Sequence, residues 1–454
     1  MEYLKYSGTY KSEKLRAGTS YPWFLWIPEN AEVPLAVFVS HDGLNEPQAL
    51  AMAELAETGE APRCAVIGIS PGTAEPSLSG GFPRNMRFSD YDVFDSGYMD
   101  FVVDEFIPFL REKFDLNLSD DPDLHMVTGG SSGGISSWNG VWFRNDYFRR
   151  TYICSPTFSA MARGNVAPVW MRLCETKPVR VYIDYSENEP DDYFGSSLCA
   201  AMEAHYALRF AGYDYNWAFY PGEGHSSRYW NRDTAKEVFR WLWKDWKTEP
   251  IRAPRMSPRV DAVVDRNEPW RETDRFPAPV EARTAHGVYR IRDTAVVLES
   301  PEGERVAADG FAALSGAALS SDKWILYIAD SSRACIYEAA VGEDGSLSGL
   351  KRFASLQTAT DFRTPGAAGI CVDSRDRIYA ATELGIQCVR SYGLVDAILP
   401  LPGNAVPRAV RMEGEMLYAD CGDRIYVRRM KAAQAEESPT RPRFDSYYAA
   451  ADEG

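Results

Sequence analysis

Gly129-Gly130-Ser131-Ser132-Gly133-Gly134 sets hydroxyls among glycines directly after the apolar run Leu124-His125-Met126-Val127-Thr128. A short apolar run that ends in small residues and leads into helix-compatible sequence reads as strand, tight turn and helix start. The glycines let the backbone take strained angles, and a serine at such a turn stands clear of the sheet as a nucleophile. The Gly-x-Ser-x-Gly pattern fits in two registers, centred on Ser131 or on Ser132. Ser131 is preferred, because that register leaves Gly134 as an extra small residue where helix meets strand. A phosphate-binding loop would need Gly-Lys-Ser/Thr, and no lysine is present.

A nucleophilic serine needs a base, an acid to orient it, and donors for the oxyanion. Of five histidines, His41 ends a strand, His125 opens one, His205 sits within a helix and His286 falls in the second half. His225 lies in Pro221-Gly222-Glu223-Gly224-His225-Ser226-Ser227, beyond a strand and downstream of the serine. It is the candidate base. The acid should come from the loop between them, Asp184 to Asp192, where Glu189 ranks first and Asp192 and Asp191 stand behind it. For the oxyanion, the Ser132 N–H follows the nucleophile, and the loop Asp42-Gly43-Leu44 supplies the second donor.

These groups need a scaffold, and the first half has one. An apolar run at 33–40, a helical pattern at 47–58, a strand at 64–70, helical spacing at 95–114, strands at 152–154 and 179–185, a helix at 196–211 closed by Gly212, a strand at 215–220 and a helix at 232–247 alternate in order. That predicts an α/β parallel-rich sheet with helices on both faces, with its site beyond the carboxyl ends of the strands. At 454 residues the chain has room for a second domain, and its net charge of -16 argues against a nucleic-acid partner. No segment approaches the ~18 uninterrupted apolar residues of a membrane span, and Met1 to Gly8 does not have the pattern of a leader. Eight scattered cysteines without a Cys-x-x-Cys pair read as reduced, buried thiols. The expectation is a soluble, cytoplasmic protein.

Thr128-Gly129-Gly130-Ser131-Ser132-Gly133-Gly134-Ile135, the His41-Asp42-Gly43 loop and Gly222-Glu223-Gly224-His225 together resemble the enterochelin-esterase and esterase-D-like branch of the α/β-hydrolases. Phe82-Pro83-Arg84-Asn85-Met86-Arg87-Phe88-Ser89-Asp90-Tyr91-Asp92 is similar to the segment that in this branch precedes the helix leading to Phe106-Ile107-Pro108. The resemblance covers roughly residues 5–247 and implies Ser131 as nucleophile, His225 as base and Glu189 as acid. Ser186 stands where the branch has glycine, and the acid is Glu. Arg84, Asn85 and Arg87 are candidates to face the substrate, with a solvated loop as the alternative.

Residues 249–285 are rich in proline and charge, a linker composition. From Gly287 short strands follow one another between turn residues, which predicts an all-β, propeller-like domain over 286–430. Leu314-Ser315-Gly316-Ala317-Ala318-Leu319 with its continuation to Asp330, and Ala367-Ala368-Gly369-Ile370-Cys371-Val372-Asp373, resemble blades of the gluconolactonase/regucalcin-like propellers. There the matching positions hold an Asn and an Asp that bind a divalent cation. Here they are Ser315 and Ala368, a poor ligand and a non-ligand, so no metal is expected. At ~40–45 residues per blade the domain holds three to four blades. So small a ring must cover its sheet edges with the first domain, the linker or a second copy of the chain. Residues 431–454 read as a disordered tail.

The sequence therefore predicts an α/β-hydrolase domain over 1–248 fused to a degenerate propeller, acting as a serine carboxylic-ester hydrolase without cofactor. Its substrate would be a small-molecule or carbohydrate-linked ester, the latter by family resemblance. The alternatives are a non-catalytic binding or scaffold protein and a lactonase using the β-domain.

Overall fold

The computed structural model describes residues 2–29, 34–75, 81–360 and 364–435. They fall into two units, Met1–Arg172 with Thr176–Arg255, and Leu173–Glu175 with Met256–Gly454.

The first unit carries the strands β1 (Tyr3–Lys11), β2 (Thr19–Pro28), β3 (Ala36–His41), β4 (Cys64–Ile69), β5 (Thr73–Ala74), β6 (Arg84–Asn85), β7 (His125–Gly130), β8 (Arg150–Cys154), β9 (Arg180–Asn188), the hairpin β10 (Asp191–Asp192) and β11 (Gly195–Ser196), and β12 (Asp214–Gly224). All but the hairpin join one ten-stranded sheet in the order β12-β9-β8-β7-β3-β4-β2-β5-β6, with β1 beside β2. From β12 to β4 every pair is parallel; β2 turns antiparallel against β4. The central strands β3, β4, β7 and β8 are buried on both faces, as covered parallel strands must be.

Side chains alternate between those faces. Phe38, Val66, Met126 and Tyr152 join a core with Met52 and Leu55 of α1 (Glu46–Glu57) and with Phe239 and Leu242 of the last helix of the unit. Val127 points the other way: a β-carbon on Gly140 would lie 3.1 Å from its Cγ1 and 3.0 Å from Met99 Cε. Helical sequence at 95–114 forms α2 (Gly97–Phe101), a π-turn at Val102–Phe106 and α3 (Ile107–Lys113). Pro108 has no N–H to continue an α-ladder, and the wider turn lets the Ile107 N–H reach the Val102 carbonyl. The remaining helices are α4 (Ser132–Phe143), α5 (Ala167–Leu173), α6 (Ser197–Ala211) and α7 (Arg232–Leu242). Gly212 closes α6 in the left-handed region at φ 78°, as a C-cap glycine should.

The second unit begins with α8 (Pro258–Asp261) and is otherwise β. Within 249–285, where composition predicts a linker, α8 and two strands form, β13 (Arg271–Thr273) and β14 (Ala282–Thr284). The reason is apolar: Val260, Val263 and Val264 are fully buried. Four four-stranded sheets follow: β14 with β15 (Gly287–Arg292), β16 (Ala295–Ser300) and β17 (Gly303–Ala308); β18 (Leu314–Leu319) to β21 (Leu347–Ser355), through β19 (Ile325–Asp330) and β20 (Cys335–Val341); and β22 (Ile370–Val372) to β25 (Val395–Leu399), through β23 (Ile378–Thr382) and β24 (Gly385–Val389). The fourth holds β26 (Ala409–Glu413), β27 (Met416–Asp420) and β28 (Ile425–Arg429), completed by β13. Residues of β14, β18, β22 and β26 line one cavity of about 230 Å³, so one edge strand of each sheet faces a common axis. This is a four-bladed propeller arrangement, and a segment from its start supplies the outer strand of its last blade.

Of the stretch 431–454, Gln434 forms a bridge with Asp373 and Ala435 is buried; 436–454 lie outside the described residues. All eight cysteines stand outside any disulfide; seven are buried and Cys199 is exposed. Among the described residues no helix is long and apolar enough to cross a membrane.

Candidate active site

Ser131 sits between β7 and α4 with φ 56° and ψ -123°. A non-glycine residue there is strained, and such outliers collect at functional sites. Asp42, Ser155 and Ser226 share the feature, at φ 60°, 44° and 55°. Asp42 directly follows β3, Ser155 directly follows β8, and Ser226 lies beyond β12. The contacts bring them together. The Ser131 N–H donates to the Cys154 carbonyl (2.9 Å), and the Ser226 N–H donates to Ser155 Oγ (3.0 Å). A β-carbon on Gly133 would lie 3.2 Å from Asp42 Oδ2, and one on Gly130 would lie 3.4 Å from Ser226 Oγ. Loops from four strand ends therefore meet around the start of α4.

His225 Nδ1 is hydrogen-bonded to Glu189 Oε2. An ionised carboxylate only accepts, so Nδ1 carries the proton and Nε2 is the nitrogen left for proton transfer. Burial would raise the Glu189 carboxyl. The hydrogen bonds from His225, the Ser155 hydroxyl and the Ser186 N–H outweigh it and hold Glu189 below the ordinary carboxylate value. Asp191 and Asp192, the other two candidate acids, are exposed in the β10–β11 hairpin, where Asp192 accepts from the Phe194 N–H (2.8 Å). Glu189 is the one of the three that reaches His225.

The loop that carries His225 is also fixed beyond it. The Tyr229 carbonyl accepts from Asn45 Nδ2 and Gln48 Nε2, both at 3.0 Å, and Thr128 of β7 donates to Gln48 Oε1 at 2.8 Å. One buried chain of amide and hydroxyl groups ties this loop to the strand that leads into Ser131.

On the other side, the expected oxyanion loop is divided in its roles. The Gly43 N–H donates to the Ile69 carbonyl (3.0 Å), so Gly43 is engaged and cannot serve as the donor anticipated from sequence. Its contribution is conformational, at φ 90°. Leu44 is the next N–H along, lying over Gly68, where a β-carbon would come within 2.4 Å of Leu44 N. Ser132 is the first residue of α4, and its N–H has no carbonyl one turn back to bind. The loop itself is pinned by Tyr91, whose hydroxyl accepts from the Asp42 N–H (3.1 Å) and donates to the Ile69 carbonyl (3.2 Å). His41 packs on Tyr91 and Tyr98, and complete burial pushes its pKa down to about 4, leaving a neutral ring.

Arg87 bridges this loop to α4. Its Nε and Nη2 donate to the two Asp42 oxygens (2.8 and 2.9 Å), and Nη1 donates to Ser132 Oγ (2.8 Å). Asp92 lies beside them: burial raises it to about 6, against the pull of the Ser132 hydroxyl and Arg87. Arg84 and Asn85 are exposed on β6, and Asn85 Oδ1 accepts from the Arg87 N–H (2.8 Å). No hydrogen bond or ion pair joins Arg84 to the turn at Ser131 among the described residues. Sequence reading gave no site role to Ser155, Tyr91 or Asp92, and named Asp42 only as part of the oxyanion loop.

In the second unit, Ser315 Oγ donates to the Ala367 carbonyl (2.5 Å) and the Ala329 carbonyl (3.2 Å). A single neutral hydroxyl already donating to carbonyls, next to an alanine at 368, does not fit a divalent cation, which needs several oxygens. Among the described residues no group of three or more His, Cys, Asp or Glu side chains could hold a metal ion.

No curated protein matches the chain. Among solved structures, a ferulic acid esterase is similar to 54% of this chain over 99% of its own, with 19% identity and a TM-score of 0.40. The enterobactin esterase of Shigella flexneri is similar to 54% of the chain over 60% of its own, with 17% identity and a TM-score of 0.41. A gluconolactonase from Xanthomonas campestris is similar to 30% of the chain over 44% of its own, with 22% identity and a TM-score of 0.26. At these values the likenesses identify neither activity nor substrate. Residues 280–417, most of the propeller, match the family described as SMP-30/Gluconolactonase/LRE-like region.

Proposed function

We propose that the first unit is a serine carboxylic-ester hydrolase. The observation that carries this reading is the Glu189–His225 pair, set on a loop whose next residue packs against Gly130, directly before the strained Ser131. Acid, base and nucleophile then stand in the chain order Ser, acid, His on the ends of parallel strands. His225 Nε2 takes the Ser131 hydroxyl proton as Oγ bonds to the ester carbonyl carbon. The N–H groups of Ser132 and Leu44 receive the oxyanion. Collapse expels the alcohol, which takes the proton from His225, and leaves an acyl-Ser131. Water, deprotonated by His225, attacks this ester; Ser131 leaves with the proton and the acid product departs. A carbohydrate-linked ester is the substrate class that the family resemblance implies.

The test is labelling by a fluorophosphonate probe together with hydrolysis of p-nitrophenyl acetate. Both are expected of the full chain and neither of Ser131→Ala. An unlabelled, inactive wild-type chain would favour a binding or scaffold role. The match over residues 280–417 favours a second reading, a lactonase in the propeller. It requires a cation that the side chains at 315 and 368 do not fit. Lactone hydrolysis that survives Ser131→Ala and is abolished by a chelator would establish it.

A further inference from the structure

Ser155 does no chemistry in the mechanism above, yet it is buried and held from several sides. It follows β8, the strand lying between β7, which leads to Ser131, and β9, which leads to Glu189. Only 2% of it is exposed, and its backbone is held at φ 44°, a conformation that a β-carbon makes costly. Its N–H donates to the Asp184 carbonyl of β9 (2.8 Å). Its hydroxyl donates to Glu189 Oε1 (2.6 Å) and accepts from the N–H of Ser226 (3.0 Å), the residue after His225. One oxygen thus touches the acid and the backbone of the base's loop at once, while its neighbour Cys154 accepts from the nucleophile's own N–H.

We propose that Ser155 is a positioning residue, which holds Glu189 and the His225 loop in register with Ser131 through its single hydroxyl. This deepens the hydrolase reading and rests on it. The geometry gives the hydroxyl two tasks. Its O–H fixes Oε1, so that Oε2 is the oxygen presented to His225 Nδ1; the Ser186 N–H, also on Oε1 (2.9 Å), shares this task. Its lone pair holds a part-buried N–H at a strained position, Ser226, that would otherwise be free to relax. The other buried carboxyl near Glu189 gives no such help. Asp184, a second carboxyl buried below it, accepts from the Tyr152 hydroxyl (2.7 Å) and repels the Glu189 charge.

Ser155→Gly is the informative variant, because glycine accepts φ 44° without strain and removes only the hydroxymethyl group. Stability is therefore expected to change little. On p-nitrophenyl acetate, kcat should fall by about 10- to 100-fold, the cost of roughly an ångström of misplacement, with KM within about twofold. The acid limb of the kcat profile should move to higher pH, since Glu189 loses a donor that favours its ionised form. The third readout needs no turnover: the far-downfield proton resonance of the His225–Glu189 hydrogen bond, assigned by its absence in His225→Ala, should broaden or move upfield. An unchanged resonance and unchanged kcat in a folded Ser155→Gly would overturn the proposal. Unchanged kcat with lowered stability would overturn it too, leaving Ser155 a purely structural residue. Failure of the hydrolase reading looks different, as a Ser131→Ala variant that keeps full activity while the Ser155→Gly resonance still moves.

Discussion

A β-carbon on Gly129 would lie 1.9 Å from the carbonyl oxygen of Gly133 and 2.1 Å from its carbonyl carbon. The chain folds back on itself across Ser131 so closely that the residue two before it and the residue two after it touch backbone to backbone. No side chain fits at 129, and the listening partner is rigid backbone rather than a side chain that can swing away. Gly129→Ala should therefore destabilise the first unit by about 3 kcal/mol or more. Gly134→Ala is the control: its β-carbon would meet Pro156 Cα at 3.1 Å and the Cys154 carbonyl at 3.3 Å, a tight fit expected to cost about 1–2 kcal/mol. Urea denaturation of both variants checks the order.

The two serines of the motif have separate surroundings, and these give the second prediction. Ser131 occupies the strained turn, whereas Ser132 is inside the helix with its hydroxyl accepting from Arg87. Ser131→Ala should abolish fluorophosphonate labelling. Ser132→Ala keeps its N–H, so labelling should persist, with hydrolysis lowered by no more than about tenfold. Labelling lost only in Ser132→Ala would move the nucleophile by one residue.

Arg87 makes a planar, three-pronged contact that lysine cannot copy. In Arg87→Lys the Asp42 carboxylate keeps a charge partner but loses the paired N–H donors, and Ser132 Oγ loses its own. The ion pair is part-exposed, with about a third of each side chain in solvent, so global stability should change by no more than about 1 kcal/mol. The loop that presents Leu44 should loosen, lowering kcat on p-nitrophenyl acetate by about tenfold. A stability loss without a change in kcat would make Arg87 a structural brace only.

What the sequence could reveal of this site follows from how far each contact reaches along the chain. The glycines around Ser131 and the order of Ser131 and His225 are local or ordinal features, and both can be read from letters. Glu189 stood out among its neighbours less clearly, because Asp191 and Asp192 differ from it only in belonging to a hairpin. Ser155 could not be found: its role depends on β8 lying between β7 and β9, which is a property of the sheet. The Gly43 N–H was misassigned for a similar reason, since its acceptor, Ile69, is on the neighbouring strand. In the second unit the all-β character was legible from turn spacing. The three residues of β13, inside a proline-rich stretch, were not.

Three buried carboxyls make opposite pH dependences. Burial raises Asp184 to about 6, against hydrogen bonds from Cys154 and Tyr152. A raised acid keeps its proton in the folded state after the unfolded chain has released it at about 3.9. Its contribution is full below about pH 4 and is lost as pH rises through about 6; Asp92, also raised to about 6, acts in the same sense. Glu105 is the converse. Burial would raise it, but N–H donors from Leu15, Glu13 and Lys14 and the Ser12 hydroxyl bring it below the ordinary value. Its contribution is present above about 4.3 and is lost as pH falls. Asp184→Asn should therefore gain on the wild type, by on the order of 1–3 kcal/mol, between about pH 4 and pH 7. Glu105→Gln should lose on it as pH rises toward about 4.3, and keep a constant deficit above that. Denaturation series at several pH values would show the two differences running in opposite directions.

Closure of the propeller rests on three residues. Arg271, Glu272 and Thr273 of β13 pair with Val427, Tyr426 and Ile425 of β28, and so cover what would otherwise be an open edge of the last blade. Side chains reinforce the ladder: Glu272 pairs with Arg424 (3.3 Å), and beyond the strand the Arg275 guanidinium grips both oxygens of Glu413. These pairs are exposed and contribute little by themselves, so the backbone ladder and the burial behind it must do most of the closing. Proline has no N–H and is not tolerated inside a paired strand. Glu272→Pro should strip β13 from β28, and the expected readout is hydrogen exchange: amides of β28 and then β27 should lose protection while those of β15 and β16 keep theirs. Glu272→Ala, which removes the ion pair and leaves the ladder, should leave that protection nearly unchanged. Equal protection in the proline and alanine variants would mean that the last blade holds its place without its fourth strand.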